Sequence, residues 1–348
     1  CPPRPLSPKG ETEAPAGLFG AGNSLSTASR GEGGGGWKTH PWINPGRDHR
    51  RMMTHRQIKE TFIRWFFFAT AFVSILVLFL ILVFLFMEGV PIFSKVSVWK
   101  FLFGTNWYPT ASPPDFGIFP LLVASVAVTT FSALISIPLG VMTAIYLAEI
   151  ASARMREIAK PVVELLAALP SVVIGFFGMV VMAPFLQDYL EIPTGLNLFN
   201  ASLMLAFMSV PTICSISEDA IYSVPRELKE ASLALGATHW ETIYRVIFPA
   251  SLSGISTGVI LGMSRAVGET MVVLMVAGGA ALVPTSIFKP VRPMPASIAA
   301  EMAEAPFRSD HYYALFATGI VLFLFTVLFN LLADMVAQKH KQVGAATL

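Results

Sequence analysis

The chain has 348 residues, of which 54% are hydrophobic and only 13% charged, with a formal net charge of +2 and a mean hydropathy of +0.64. Soluble domains carry about a quarter of their residues charged, so this balance points to a bilayer rather than an aqueous core. So small a net charge, with no basic stripe interleaved with aromatics, excludes the usual nucleic-acid footprint.

Residues 1–51 differ from the rest. They are rich in Pro, Gly and Ser, from Cys1-Pro2-Pro3-Arg4-Pro5 to the glycine tract at 31–36, and hold too few apolar residues to fold alone. They are expected to be disordered, or to be translated sequence upstream of a start at Met52 or Met53. They lack the apolar h-region of a signal peptide. An N-terminal Cys also suits a processed lipoprotein, but that arrangement would put Arg47, Arg50 and Arg51 outside, against the charge rule applied below. The segment from Gly31 to Thr39 is not a phosphate loop: Trp37 separates Gly36 from Lys38, and no apolar strand precedes it.

A spanning helix needs about 20 apolar residues, and six stretches qualify. They are predicted at 62–87, 117–148, 162–185, 199–222, 250–277 and 312–336, giving an all-α membrane protein with six transmembrane helices. Pro138, Pro170 and Pro211 fall inside spans and mark kinks of packing or of a pathway. Lys and Arg set the orientation. They crowd the N-terminal flank, the second loop (Arg154, Arg156, Lys160), the fourth loop (Arg226, Lys229, Arg245) and the C-terminus (Lys339, Lys341). Both termini and the even loops are therefore expected in the cytoplasm. Trp99, Trp107 and Tyr108 in the first outer loop suit an interfacial aromatic belt. Cys214 lies within an apolar stretch and reads as a small buried hydrophobe, and two cysteines make no disulfide framework.

The fourth loop, 223–249, reads as a helical hairpin. Pro225 opens a run of helix formers, Arg226-Glu227-Leu228-Lys229-Glu230-Ala231, which Gly236 ends. Ala237 follows, and Thr238-His239-Trp240-Glu241 then has the form of a capping box. Trp240, Ile243, Tyr244 and Ile247 recur at helical spacing as an apolar face, and Pro249 closes the loop. Such a hairpin either lies against the bilayer or inserts into a groove on a partner.

The residues here resemble a known family. Glu230-Ala231-Ser232-x3-Gly236-Ala237, continuing to Val246-Ile247-Phe248-Pro249, is similar to the E-A-A-x3-G-x9-I-x-L-P signature of binding-protein-dependent ABC importer permeases. It departs by Ser232 for the second Ala and Phe248 for Leu. The runs 165–173, 268–278, 300–305 and 311–316 are similar to the PstC-type branch of phosphate permeases, and the resemblance covers about 53–342. It implies a type I importer core of five helices over 117–342, with the first span and first outer loop (52–116) as an addition. It also implies that Glu230, Ala231, Gly236, Ala237, Trp240, Tyr244 and Pro249 couple to an ATPase. Implied partners are a homologous PstA-like permease, two PstB-like ATPase subunits holding ATP and Mg, and a PstS-like external phosphate-binding protein. No cofactor is expected on this chain, which is read as a transport subunit of a bacterial inner membrane rather than an enzyme.

The fifth span carries the chemistry. Gly254, Gly258 and Gly262 repeat at spacing four, the small-xxx-small pattern of close helix approach. At 3.6 residues per turn, Arg265 falls about 20° and Glu269 about 60° round from Gly254, on the same stripe. At i,i+4 the two charges are close enough to pair. One reading is a structural ion pair that sets packing. The other is that Arg265 meets an anion in transit, its forked donors matching phosphate oxygens, while Glu269 moderates the grip. The matching positions of the PstC-type family are implicated in transport.

Other charges read as solvated: Glu218 and Asp219, with Glu149, Glu164 and Asp334 near helix ends. The fifth loop, 279–311, with Lys289, Arg292 and Arg308, is a candidate docking surface for an external protein. His239 and His311 are isolated and no metal spacing appears. Rival functions are a permease for sulfate or molybdate, and an ion-coupled secondary transporter, although no repeated halves are visible. A purely structural membrane scaffold is a further alternative, made less attractive by Arg265 and Glu269 within the fifth span.

Overall fold

A computed structural model describes the backbone of residues 45–345 and the side chains of 59–335. The tail expected at 1–51 lies outside the described residues as far as 44, and helix α1 is described from Pro45 (Pro45–Gly89). Packing divides the chain into a unit ending at Thr70 and a unit from Ala71 onward. The second unit is described from here on.

Six helices are long and apolar enough to cross a membrane: Lys59–Ser94, Phe119–Ile150, Ser171–Leu190, Leu198–Tyr222, His239–Val267 and Asp310–Met335. The most apolar window of the first is not buried at all. Phe72, Ile75, Leu78 and Phe79 stay exposed, as a helix apolar on every side requires when its neighbour is lipid or another chain. Its end does pack: the Phe84 ring meets that of Phe316 edge-on at 5.6 Å, on helix α13 (Asp310–Ala345).

The first loop folds into α2 (Val98–Phe103) and a two-residue antiparallel hairpin, β1 (Trp107–Tyr108) with β2 (Asp115–Phe116). Trp99 and Tyr108 are exposed, but Trp107 is only 3% exposed. The aromatic belt therefore loses Trp107, which packs in a cluster with Phe101, Phe116, Ile118 and Leu315.

Helix α3 (Phe119–Ile145) runs through Pro138 and ends in a π-helical turn, Tyr146–Ile150. The third span differs from expectation. α4 (Ala153–Ala167) is a separate amphipathic helix, and the spanning segment is α5 (Ser171–Phe177), a π-turn and α6 (Ala183–Leu190). Pro170 is the cause. A proline disfavours helical geometry in the residue before it, and with ψ of 137° Pro170 caps α5 rather than kinking a longer helix.

The core forms around α7 (Leu198–Tyr222), which continues through Pro211. Ile213 is fully buried, and glycines close on it from two sides. A Cβ on Gly140 would lie 2.8 Å from Ile213 Cγ2, and one on Gly262 would lie 2.6 Å from Cγ1. Gly262 belongs to α10 (Phe248–Val267). Further along the same face a Cβ on Gly254 would come within 2.3 Å of Ala220 Cβ, and Gly258 faces Ile216 and Ser217. The spacing-four glycines thus seat α10 on α7 of this chain, and Cys214 is buried.

Candidate functional site

The hairpin forms much as its residues dictate. α8 (Arg226–Ala234) stops at Gly236, whose φ of +85° suits glycine. α9 (His239–Thr242) opens with a complete capping box: Thr238 N donates to Glu241 Oε2 at 2.8 Å, and Glu241 N donates to Thr238 Oγ1 at 3.3 Å. Ser232 and Thr242 hydroxyls bridge the two arms at 2.9 Å. Pro249 does not close the second arm. A π-turn at Ile243–Ile247 precedes α10, and Pro249 in the first turn of α10 offers no N–H to the turn before it. The second arm and the fifth span are one continuous helix, His239–Val267.

The predicted apolar face divides. Ile243 and Ile247 are buried against Ile221 and Val224, whereas Trp240 is 66% and Tyr244 75% exposed. Leu235, at the hairpin tip, is 90% exposed. Glu230, Ala231, Gly236 and Pro249 are exposed, and Ala237 is half-buried. Sequence spacing finds the helix but not its two faces, because both carry large apolar residues.

The Arg265–Glu269 pair does not form. α10 ends at Val267, and Gly268 caps it with ψ near 0°. Beyond the break Glu269 Oε1 accepts from the backbone N–H groups of Met271 and Val272, at 3.2 and 3.4 Å. Those N–H groups open α11 (Met271–Val276), and free first-turn donors attract a carboxylate. Arg265 is exposed while Gly258 and Gly262 are buried, so the single five-residue stripe breaks as well. Arg265 makes no hydrogen bond or ion pair among the described residues. Glu269 also borders a cavity of about 10 Å³ with Ser125, Thr129 and Pro293, space for a single water.

Two charged clusters stand out, and the first overturns the solvated reading of Glu218 and Glu149, while Asp219, Glu164 and Asp334 stay exposed. Glu218 is 3% exposed, with Lys160 Nζ 2.7 Å from Oε2 and Arg156 Nε 3.8 Å from Oε1. Lys160 also reaches Asp219 at 2.8 Å. The hydrogen bonds it donates to Asp219 and then to Glu218 hold this ammonium charged well above the usual lysine range, against the opposing effect of burial. Arg156 further donates to the carbonyls of Leu147 and Ala148. The Glu149 side chain is only 6% exposed and pairs with Lys229.

The second cluster centres on Glu301, the last residue of α12 (Met294–Glu301). Its carboxylate accepts from Trp107 Nε1 at 3.0 and 3.1 Å, from Ser297 Oγ at 3.2 Å and from Arg292. His311 Nε2 lies 2.8 Å away. Arg292 Nε donates to Gly279 O at 2.7 Å, and Gly278 before it takes φ of +88° with Leu196 O where a Cβ would stand. Arg292 is thus an internal strut, not a free docking charge. The available signal was an acidic residue in an apolar helix, with Arg and His ten or fewer residues away.

A family model described as "Binding-protein-dependent transport system inner membrane component" matches residues 136–342. The chain is 39% identical over 289 residues to the "Probable ABC transporter permease protein YqgH" of Bacillus subtilis, covering 82% of this chain and 94% of that one. It is 34% identical over 294 residues to the "Phosphate transport system permease protein PstC" of Mesorhizobium japonicum, covering 76% and 89%. Among solved structures, a chain of a bacterial ABC transporter involved in the import of alginate superposes with a TM-score of 0.58 at 16% identity. That superposition covers 82% of this chain and 99% of that chain. The fold is that of type I ABC importer permeases.

Proposed function

The chain belongs to the family of binding-protein-dependent transport system inner membrane components, and on that premise we propose that it is the permease subunit of an ATP-driven phosphate importer. The observation that carries this reading is the exposed apolar surface of the hairpin, built without a joint onto the span that bears Arg265. Leu235, Trp240 and Tyr244 fit a groove on a separate ATPase, which holds ATP and Mg. Glu230, Ala231, Gly236 and Ala237 shape the tip that enters it. Relatives named as phosphate permeases support the choice of anion. Both termini and the hairpin face the cytoplasm, following the Lys and Arg distribution.

Phosphate arrives from an external binding protein and passes between this chain and a homologous permease. The unpartnered guanidinium of Arg265 offers it paired donors. Glu269, held 3.2 Å from the Met271 N–H, keeps a negative charge nearby, so that the anion is not trapped. The chain itself makes and breaks no covalent bond.

Arg265→Gln in the assembled transporter tests the pathway role. Uptake should fall while the complex still forms; loss of assembly instead would make Arg265 a packing residue. Competition of labelled phosphate uptake by sulfate and molybdate tests the cargo, and only unlabelled phosphate should compete fully.

A further inference from the structure

We propose that the Lys229–Glu149 ion pair is the joint through which movement of the hairpin reaches the second span, an inference that rests on the coupling role proposed above. Lys229 lies midway along α8, and Glu149 lies in the π-turn that ends the second span. Their side chains are 23% and 6% exposed. Among the described residues no other side-chain hydrogen bond or ion pair joins α8 to α3 or its terminal turn.

The surroundings of the pair fit a tether. Leu147, Ile221, Val224 and Leu228 form an apolar cluster next to it. Apolar contact is non-directional, so these surfaces can slide. A carboxylate as buried as Glu149 cannot lose its counter-charge without a large penalty, so the ion pair keeps its register when the hairpin moves. The same turn is gripped from the other side, where Arg156 donates to the Leu147 and Ala148 carbonyls. Arg156 and Lys160 also reach Glu218 on α7. A pull on Lys229 is therefore delivered to α3, and through α4 to α7. Lys229 and Glu149 are positioning residues: neither needs to touch the anion or the nucleotide.

The test uses the complete transporter in proteoliposomes, with phosphate uptake and ATP hydrolysis measured together. Assembly and a crosslink from Trp240 to the ATPase are followed in parallel. Glu149→Gln and Lys229→Met should assemble, crosslink and hydrolyse ATP, yet move at least about fivefold less phosphate per ATP. The exchange Glu149→Lys with Lys229→Glu should restore most of that ratio. A structural role alone would leave the ratio unchanged in every complex that assembles. Single variants with wild-type ratios overturn the proposal, as does an exchange variant that stays uncoupled. Where removal of a charge prevents assembly, the exchange and Lys229→Arg carry the test, and uncoupling in either overturns it. A wild-type complex that lacks the Trp240 crosslink, or hydrolyses ATP without moving phosphate, sinks the coupling reading itself, before any substitution is made.

Discussion

Arg292 and Arg265 flank the same α11 segment, yet their guanidinium groups meet opposite surroundings. Arg292 is locked inside the chain, with Nε on Gly279 O at 2.7 Å and a terminal nitrogen on Glu301. Arg265 is exposed and has no partner among the described residues. The fold can satisfy an arginine here, and it does so where the residue braces the loop. An arginine left open on a membrane helix is costly unless something outside the chain meets it. The contrast gives Arg292 a structural role and fits the pathway role proposed for Arg265.

The most severe test of that contrast is Glu301→Ala, which removes the counter-charge of Arg292 and the carboxylate that Trp107 and His311 meet. Breaking a buried charged cluster in this way should cost about 3–5 kcal/mol, read as a lower Tm of the purified subunit. Arg265→Gln should shift that Tm little, since exposed substitutions usually stay within about 0.5 kcal/mol. Equal losses in both variants would erase the distinction.

The glycine contacts on α10 come next. Gly254→Leu must displace Ala220, and overpacking of this kind costs about 1–3 kcal/mol. Thermal unfolding of the variant checks it. Lys160→Met should lower stability throughout the neutral range. The raised folded-state value means that the Lys160 contribution is complete below the ordinary lysine value of 10.5, and it is lost only as pH climbs through the raised one. A pH series of unfolding midpoints for wild type and variant should stay parallel until strongly alkaline conditions. Smallest is Gly236→Ala. No atom lies within 4 Å of the added methyl, so only the positive φ opposes it, at about 1 kcal/mol. A modest fall in Tm with hairpin docking retained would match.

Much of this architecture was legible in the residues. Apolar run length located six spans, and the Thr238 box and Gly236 stop located the hairpin arms. Errors arose where a local signal had two outcomes. Pro170 read as a kink and proved to be a boundary. Gly268, read as helix interior, ends α10, which separates Arg265 from Glu269. Glu218 and Glu149 read as solvated because they sit near helix ends. Their burial depends on Lys160 and Lys229, 58 and 80 residues away in the chain, and no local pattern announces such partners. Trp107 shows the same limit: a tryptophan near an interface suits a belt or a core equally, and Glu301 decided it.

The uninterrupted run from His239 to Val267 has a mechanical consequence. Trp240 and Arg265 are 25 residues apart on one helix, about 38 Å at 1.5 Å per residue. Moving as one rod, the helix sweeps one end through about 3 Å for a rotation of about 5° at the other. That distance compares with the reach of one hydrogen bond. A small rocking of the hairpin is therefore enough to give or withdraw a guanidinium at the far end of the rod.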